Sequence, residues 1–137
     1  MRTCVDSSAF AKRFIEEEGS AKMEDICSRA TELGLSVLCV PEIISALNRR
    51  RREGNLALAP YRQAKQRLLE DVRDAEIIQL TPGVIATSIE VLESTPLRGA
   101  DAMHIACAIE WGAALFVSSD KAQLTAAKKA GLSVRTV

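Results

Sequence analysis

Leu115-Phe116-Val117-Ser118-Ser119-Asp120 is an apolar run that ends in two hydroxyls and an acid. A short apolar run bounded by polar residues reads as a buried strand. The acid just beyond it lies where open α/β sheets bind ligands, outside the carboxyl ends of the strands. The arrangement recurs. Thr3 to Val5 is closed by Asp6, and Val37 to Val40 is followed by Glu42. A fourth acid, Asp101, opens an apolar helix. If the three runs are parallel strands, these carboxylates converge on one sheet edge. Converging carboxylates repel, and a hard divalent cation with oxygen ligands is the usual remedy. The chain therefore reads as a metal-dependent enzyme acting on phosphate.

Outward from these runs, strand and helix patterns alternate. Residues about 2–6 read as a strand, and about 7–17 as a helix with Ala9, Phe10, Phe14 and Ile15 on one stripe. Gly19-Ser20 breaks it, Ser20 caps a second helix to about Leu33, and Gly34 ends that helix. A strand over Val37–Val40 leads into a helix from Pro41 to about Glu53. A long helix follows from near Pro60 to about Asp74, then a strand from Glu76 to Leu80. Thr81-Pro82 starts another helix, as cap and first helical residue, and it ends near Ser94-Thr95-Pro96. Helices over about 100–111 and 120–130 flank the strand at Leu115–Val117, and Gly131 closes the last helix. Leu132 to Val137 is a final strand, at an edge. This alternation predicts a mainly parallel sheet covered on both faces, with right-handed crossovers.

The 137 residues are enough for one domain with a real core. The formal net charge is zero, so any nucleic-acid contact must come from a local patch. Residues 48–73 offer one: eight cations (Arg49, Arg50, Arg51, Arg52, Arg62, Lys65, Arg67, Arg73) against Glu53, Glu70 and Asp71 leave +5. A solvated, internally paired helix face explains the same stretch. Arg49 lies two helical turns after Glu42 and would share its face. Cys4, Cys27, Cys39 and Cys107 form no C-x-x-C pair, so they read as core residues of a reduced cytoplasm rather than zinc ligands. No signal peptide or membrane-length apolar stretch is evident.

Each acid also has a plain structural explanation. Asp6 and Asp120 precede helices, where Asp is a favoured cap. Glu42 and Asp101 lie in first turns, where the helix dipole favours negative charge. Their separations of 36, 59 and 19 residues exclude a local calcium loop, so any shared site is assembled by the fold. Magnesium suits such a site, because it keeps several waters and uses few carboxylates. Ser8 and Ser118 are candidate hydroxyls near it, and Arg98 a candidate phosphate contact. Helix capping and a solvated arginine are the alternatives. The only histidine, His104, reads as a satisfied core residue, with general base or metal ligand as the lesser reading. Neither G-x-x-x-x-G-K-[ST] nor G-x-G-x-x-G nor G-x-S-x-G occurs. Asp6-Ser7-Ser8 lacks the acidic doublet of phosphotransfer receivers, and Ser8 stands where dehalogenase-like phosphatases need a second Asp. A non-catalytic nucleic-acid or protein binding module, with the acids as caps, is the alternative from another class.

Four segments together resemble PIN-domain ribonucleases, specifically the VapC-type toxins of type II toxin–antitoxin modules. They are V-D-S-S-A-F-A-K-R-F with E-E-E-G-S, V-P-E-I-I-S-A-L-N-R-R, L-R-G-A-D-A-M-H-I-A-C-A, and F-V-S-S-D-K-A-Q-L-T-A-A-K-K-A-G-L. The likeness covers nearly the whole chain and departs mildly at Ser118, where the family often has Thr. It implies a single PIN domain over residues 1–137, a three-layer α/β/α sandwich with about five strands. It implies a Mg²⁺ or Mn²⁺ site of Asp6, Asp101 and Asp120, with Glu42 completing the catalytic quartet. It also implies RNA hydrolysis to 5′-phosphate and 3′-hydroxyl products. Its implied partners are a second copy of the chain and a small antitoxin laid in a hydrophobic groove.

Overall fold

The computed structural model describes residues 1–137. Five strands, β1 (Arg2–Val5), β2 (Glu32–Ser36), β3 (Glu76–Ile78), β4 (Leu115–Ser118) and β5 (Val134–Thr136), form one sheet in the order β3-β2-β1-β4-β5. Every pairing is parallel. The chain works outward to one edge from β1, then returns to build the other half from β4. The order therefore reverses between β1 and β4, and ligands of open α/β sheets bind at that switch point.

Seven helices cover the faces: α1 (Ser7–Phe10), α2 (Ser20–Arg29), α3 (Cys39–Arg52), α4 (Leu58–Asp71), α5 (Pro82–Ser94), α6 (Gly99–Trp111) and α7 (Lys121–Lys129). Successive strand residues point to opposite faces, so the central strands feed two cores. Val5 and Val117 join Phe10, Met23, Ile43 and Leu68 on the side of α1 to α4. Cys4 and Phe116 join Val84, Ile105 and Ala126 on the side of α5 to α7. The result is the three-layer sandwich expected from the alternation, and all of the sheet is parallel rather than most of it. No helix is long and apolar enough to cross a membrane.

Several boundaries differ from the sequence reading, each for a physical reason. The second strand is Glu32–Ser36, not Val37–Val40. The apolar run belongs to the start of α3, where Cys39, Ile43 and Leu47 repeat every four residues and are buried together. Gly34 lies inside that strand instead of ending a helix. A Cβ there would stand 2.8 Å from the Trp111 ring, so the glycine lets α6 close onto the sheet. The first helix stops at Phe10 and tightens into a 3-10 turn over Ala11–Arg13. Phe10 and Phe14 still meet edge to face, with centroids 5.2 Å apart. Ser20 does not cap α2. Its hydroxyl accepts from the Glu17 amide and donates to the Ile15 carbonyl, stitching the preceding turn. The long helix ends at Asp71, with Val72–Asp74 as a 3-10 turn, and β3 ends at Ile78. Thr81 does cap α5, accepting from the Val84 amide.

Cys4, Cys39 and Cys107 are buried, Cys27 is half-buried, and all four are free. Burial pushes their thiols up, that of Cys39 to about 12.

The Gly34 contact yields a prediction. Gly34→Ala drives a methyl group into an indole that is itself held by the Arg2 guanidinium, 4.2 Å from its ring centre. Overpacking of this kind costs about 1–3 kcal/mol. Urea unfolding measures it, and unchanged stability means the indole moves freely.

Candidate active site

Asp6 stands where β1 becomes α1, and its amide bonds to the Val117 carbonyl of β4 at 3.0 Å. The side chain is thus fixed between the two central strands. It is only 2% exposed. Its Oδ1 accepts from the Ser8 hydroxyl at 2.8 Å and the Ala9 amide at 3.0 Å, and Oδ2 from the Ser118 hydroxyl at 2.6 Å. Burial pushes this carboxyl above its ordinary value, and the donors from Ser118, Ala9 and Ser8 recover only part of the shift. Ser8 and Ser118 are therefore neither helix caps nor free hydroxyls. Both serve Asp6.

Asp120 caps α7, its Oδ1 accepting from the amides of Ala122 and Gln123. Asp101 lies in the first turn of α6, with Oδ2 3.4 Å from Arg98 Nε. Gln123, 2% exposed, donates to the Asp101 carbonyl and ties the start of α6 to α7. Glu42 lies in the first turn of α3. Its Oε1 accepts from the Ser7 hydroxyl at 2.8 Å and lies 2.5 Å from His104 Nε2. Partial burial pushes the Glu42 carboxyl up, but His104, Ser7 and Arg98 outweigh it and leave the group below its ordinary value.

All four carboxylates line one cavity of about 340 Å³, together with Ser7, Ser8, Arg49, Arg98, His104 and Gln123. An adjoining cavity of about 510 Å³ shares Glu42, Arg49, Arg98 and Asp101 and continues along α3. The convergence drawn from the sequence therefore holds. Glu42 arrives from a helix rather than from the tip of a strand. The capping explanations of Asp6 and Asp120 hold as well, because capping and lining the cavity use different oxygens or lone pairs. Asp101, Asp120 and Glu42 each commit one oxygen to protein donors and leave the other without one. The donor set is hard oxygen, and no cysteine lines the cavity. No three His, Cys, Asp or Glu side chains stand close enough to cage an ion directly.

Ser7 and Gln123 join the site without any signal in the sequence. His104 is buried as expected of a core residue, at 3% exposure, yet it lines the cavity too. Its spacing of three from Asp101 carries that signal. The basic stretch is partly neutralised by acids from outside it. Arg50 pairs with Glu17 and Arg67 with Glu24, while Arg51 and Lys65 lie over Tyr61. Arg49 alone of this stretch lines the cavity.

The PIN domain family model matches residues 3–129, and the chain belongs to that family. No curated protein matches it in sequence. Among solved structures, VapBC2 from Rickettsia felis, bound to a promoter DNA fragment, superposes with TM-score 0.72 at 11% identity, covering 100% of this chain and 99% of that one. VapC20 of Mycobacterium tuberculosis, described as a sarcin–ricin loop cleaving toxin, gives 0.70 at 16% identity, with 95% of each chain covered. DNA-bound VapBC from Salmonella typhimurium gives 0.69 at 13% identity, covering 99% and 98%. At these identities the likeness is one of fold.

The raised Asp6 value has a testable consequence. An acid whose folded value is raised favours the fold below its unfolded value and loses that contribution as pH rises through the folded value. Asp6→Asn lacks this dependence. In EDTA, the stability of the variant relative to wild type should rise from about pH 4 to neutrality. Urea unfolding at stepped pH reads the difference, and a flat profile means the buried charge carries no penalty.

Proposed function

We propose that this chain is a divalent-metal-dependent endoribonuclease and the toxin of a toxin–antitoxin pair, acting as one PIN domain over residues 1–137 in the cytoplasm. The observation that carries the reading is the meeting of Asp6, Glu42, Asp101 and Asp120 in one cavity at the switch point of a PIN-family sheet. A non-catalytic module of the same fold accounts for the acids singly, as caps and first-turn charges, but not for their meeting in one cavity.

Asp6, Asp101 and Asp120 are the residues that would hold Mg²⁺ or Mn²⁺, in part through water. Hard oxygen donors with uncommitted lone pairs suit these ions. When bound, such an ion polarises the phosphoryl oxygen and stabilises the departing one. Ser8 and Ser118 fix the Asp6 carboxylate by donating to both of its oxygens. Glu42 orients the attacking water and takes its proton on Oε2, since Oε1 is committed to Ser7 and His104. Arg49 and Arg98, at the mouth shared by the two cavities, hold phosphates flanking the scissile bond. Scarce aromatic residues, 4% of the chain, argue for phosphate contacts over base stacking.

The partners follow from the family and the surface. Structures of similar fold include a toxin–antitoxin complex from Klebsiella pneumoniae and a VapBC-family toxin–antitoxin member from Mycobacterium tuberculosis. A mixed groove, with Phe14, Ile15, Pro60 and Ala64 beside Glu16, Gln63 and Arg67, suits an amphipathic antitoxin segment. The exposed α5 residues Ile85, Ile89 and Leu92, spaced by four and three, suit a second copy of the chain.

The test is cleavage of RNA by the purified chain with Mn²⁺ or Mg²⁺ and an EDTA control. Asp6→Asn and Asp101→Asn should each cut at least about a hundredfold more slowly, with circular dichroism unchanged. Full activity in both variants removes the assignment, and failure to bind Mn²⁺ favours the binding module. A second measurement addresses the arginines. The Arg49→Ala/Arg98→Ala pair should weaken binding of single-stranded RNA and flatten its dependence on log salt by about 0.7 for each phosphate that is no longer neutralised. An unchanged slope places the RNA elsewhere.

A further inference from the structure

We infer that His104 is a positioning residue that aims the Glu42 carboxylate into the cavity by donating from Nε2 to Oε1, an inference that rests on the nuclease reading above. The imidazole is 3% exposed on α6, a helix whose other buried residues are Ala102, Ile105, Ala106, Cys107 and Ala108. Burying a polar ring among such residues is unfavourable unless its hydrogen bonds are met. Nε2 meets them only with groups of the site: Glu42 Oε1 at 2.5 Å and Ser7 Oγ at 3.3 Å. These partners lie 62 and 97 residues away in the chain and come from α3 and α1. The contact therefore joins three elements at the cavity.

The roles of the atoms follow from chemistry. An ionised carboxylate only accepts, so Nε2 carries the proton in this contact. The Ser7 hydroxyl donates to the same Oε1. Two donors on one oxygen fix both position and plane of a carboxylate that is otherwise flexible and 37% exposed. Oε2 is left as the oxygen that meets a water. This is not a Ser-His-acid relay. In a relay the acid and the hydroxyl sit on opposite nitrogens of the ring, whereas here both lie on Nε2. His104 thus acts through Glu42.

The experiment compares wild type with His104→Leu, His104→Gln and His104→Asn in steady-state RNA cleavage with Mn²⁺. Leu fills the space without a donor. Gln reaches with an amide N–H to about where Nε2 stands, and Asn is too short to do so. Leu and Asn should lower kcat by up to about a hundredfold with KM within about twofold, and Gln should recover most of the loss. Glu42→Gln/His104→Leu should be no slower than Glu42→Gln alone, since residues that act as a unit are not additive. Full kcat in His104→Leu overturns the inference. So does a Gln variant that folds as stably as wild type yet stays as slow as Leu. A second readout needs no activity. His104 is the only histidine, so its imidazole nitrogen signals are unambiguous. A protonated Nε2 whose signal moves in Glu42→Ala is expected, and an Nε2 signal indifferent to that change overturns the inference. Should wild type cut no RNA, the nuclease reading falls, while the nuclear magnetic resonance result still decides whether His104 holds Glu42.

Discussion

A buried carboxylate at the joint between two central strands organises much of this molecule. Asp6 is almost without solvent, and every donor that compensates it is local to the joint: Ser8 and the Ala9 amide from α1, Ser118 from the end of β4. That requirement fixes the distance between β1 and β4 and the direction in which α1 departs. It also accounts for the hydroxyls next to the acids. Ser118 donates to Asp6 and accepts from the Asp120 amide, so one small side chain links two of the four acids. Ser8 likewise donates to Asp6 and accepts from the Ser119 amide.

The outer acids are handled differently. Asp101, Asp120 and Glu42 remain at the rim, each with one oxygen held by the protein. A site built this way is rigid at its floor and adjustable at its edge. Uncompensated burial of all four would be costly. Full exposure of all four would leave their separations to chance. The observed gradient lets the fold exist without an ion while keeping all four acids on one cavity.

Much of this is legible in the sequence, and the reasons are local. Apolar runs ending in Asp6 and Asp120 are strands whose ends carry acids, and such signals sit within half a dozen residues. Thr81-Pro82 and Gly131 punctuate helices by backbone chemistry that needs no tertiary context. In region 32–40, by contrast, tertiary contacts overrule local appearance. Glu32-Leu33-Gly34-Leu35-Ser36 has a poor strand composition, yet it pairs on both sides with β1 and β3. Val37–Val40 looks like a strand and serves as turn and helix start. Gly34 has the look of a stop signal until Trp111, 77 positions later, is laid against it. The partners of His104 are illegible for the same reason: its spacing from Asp101 hints at the site, but Glu42 and Ser7 lie on other helices.

The contact between Trp111 and Gly34 has an optical side. Trp111 is the only tryptophan in the chain, and it terminates the helix that begins near Asp101 and carries His104. Its ring is clamped between a strand backbone and the Arg2 guanidinium. The emission of this one indole therefore reports a single event, the seating of that helix on the sheet. The tryptophan emission spectrum is thus a built-in gauge of whether the helix that bears Asp101 is in place.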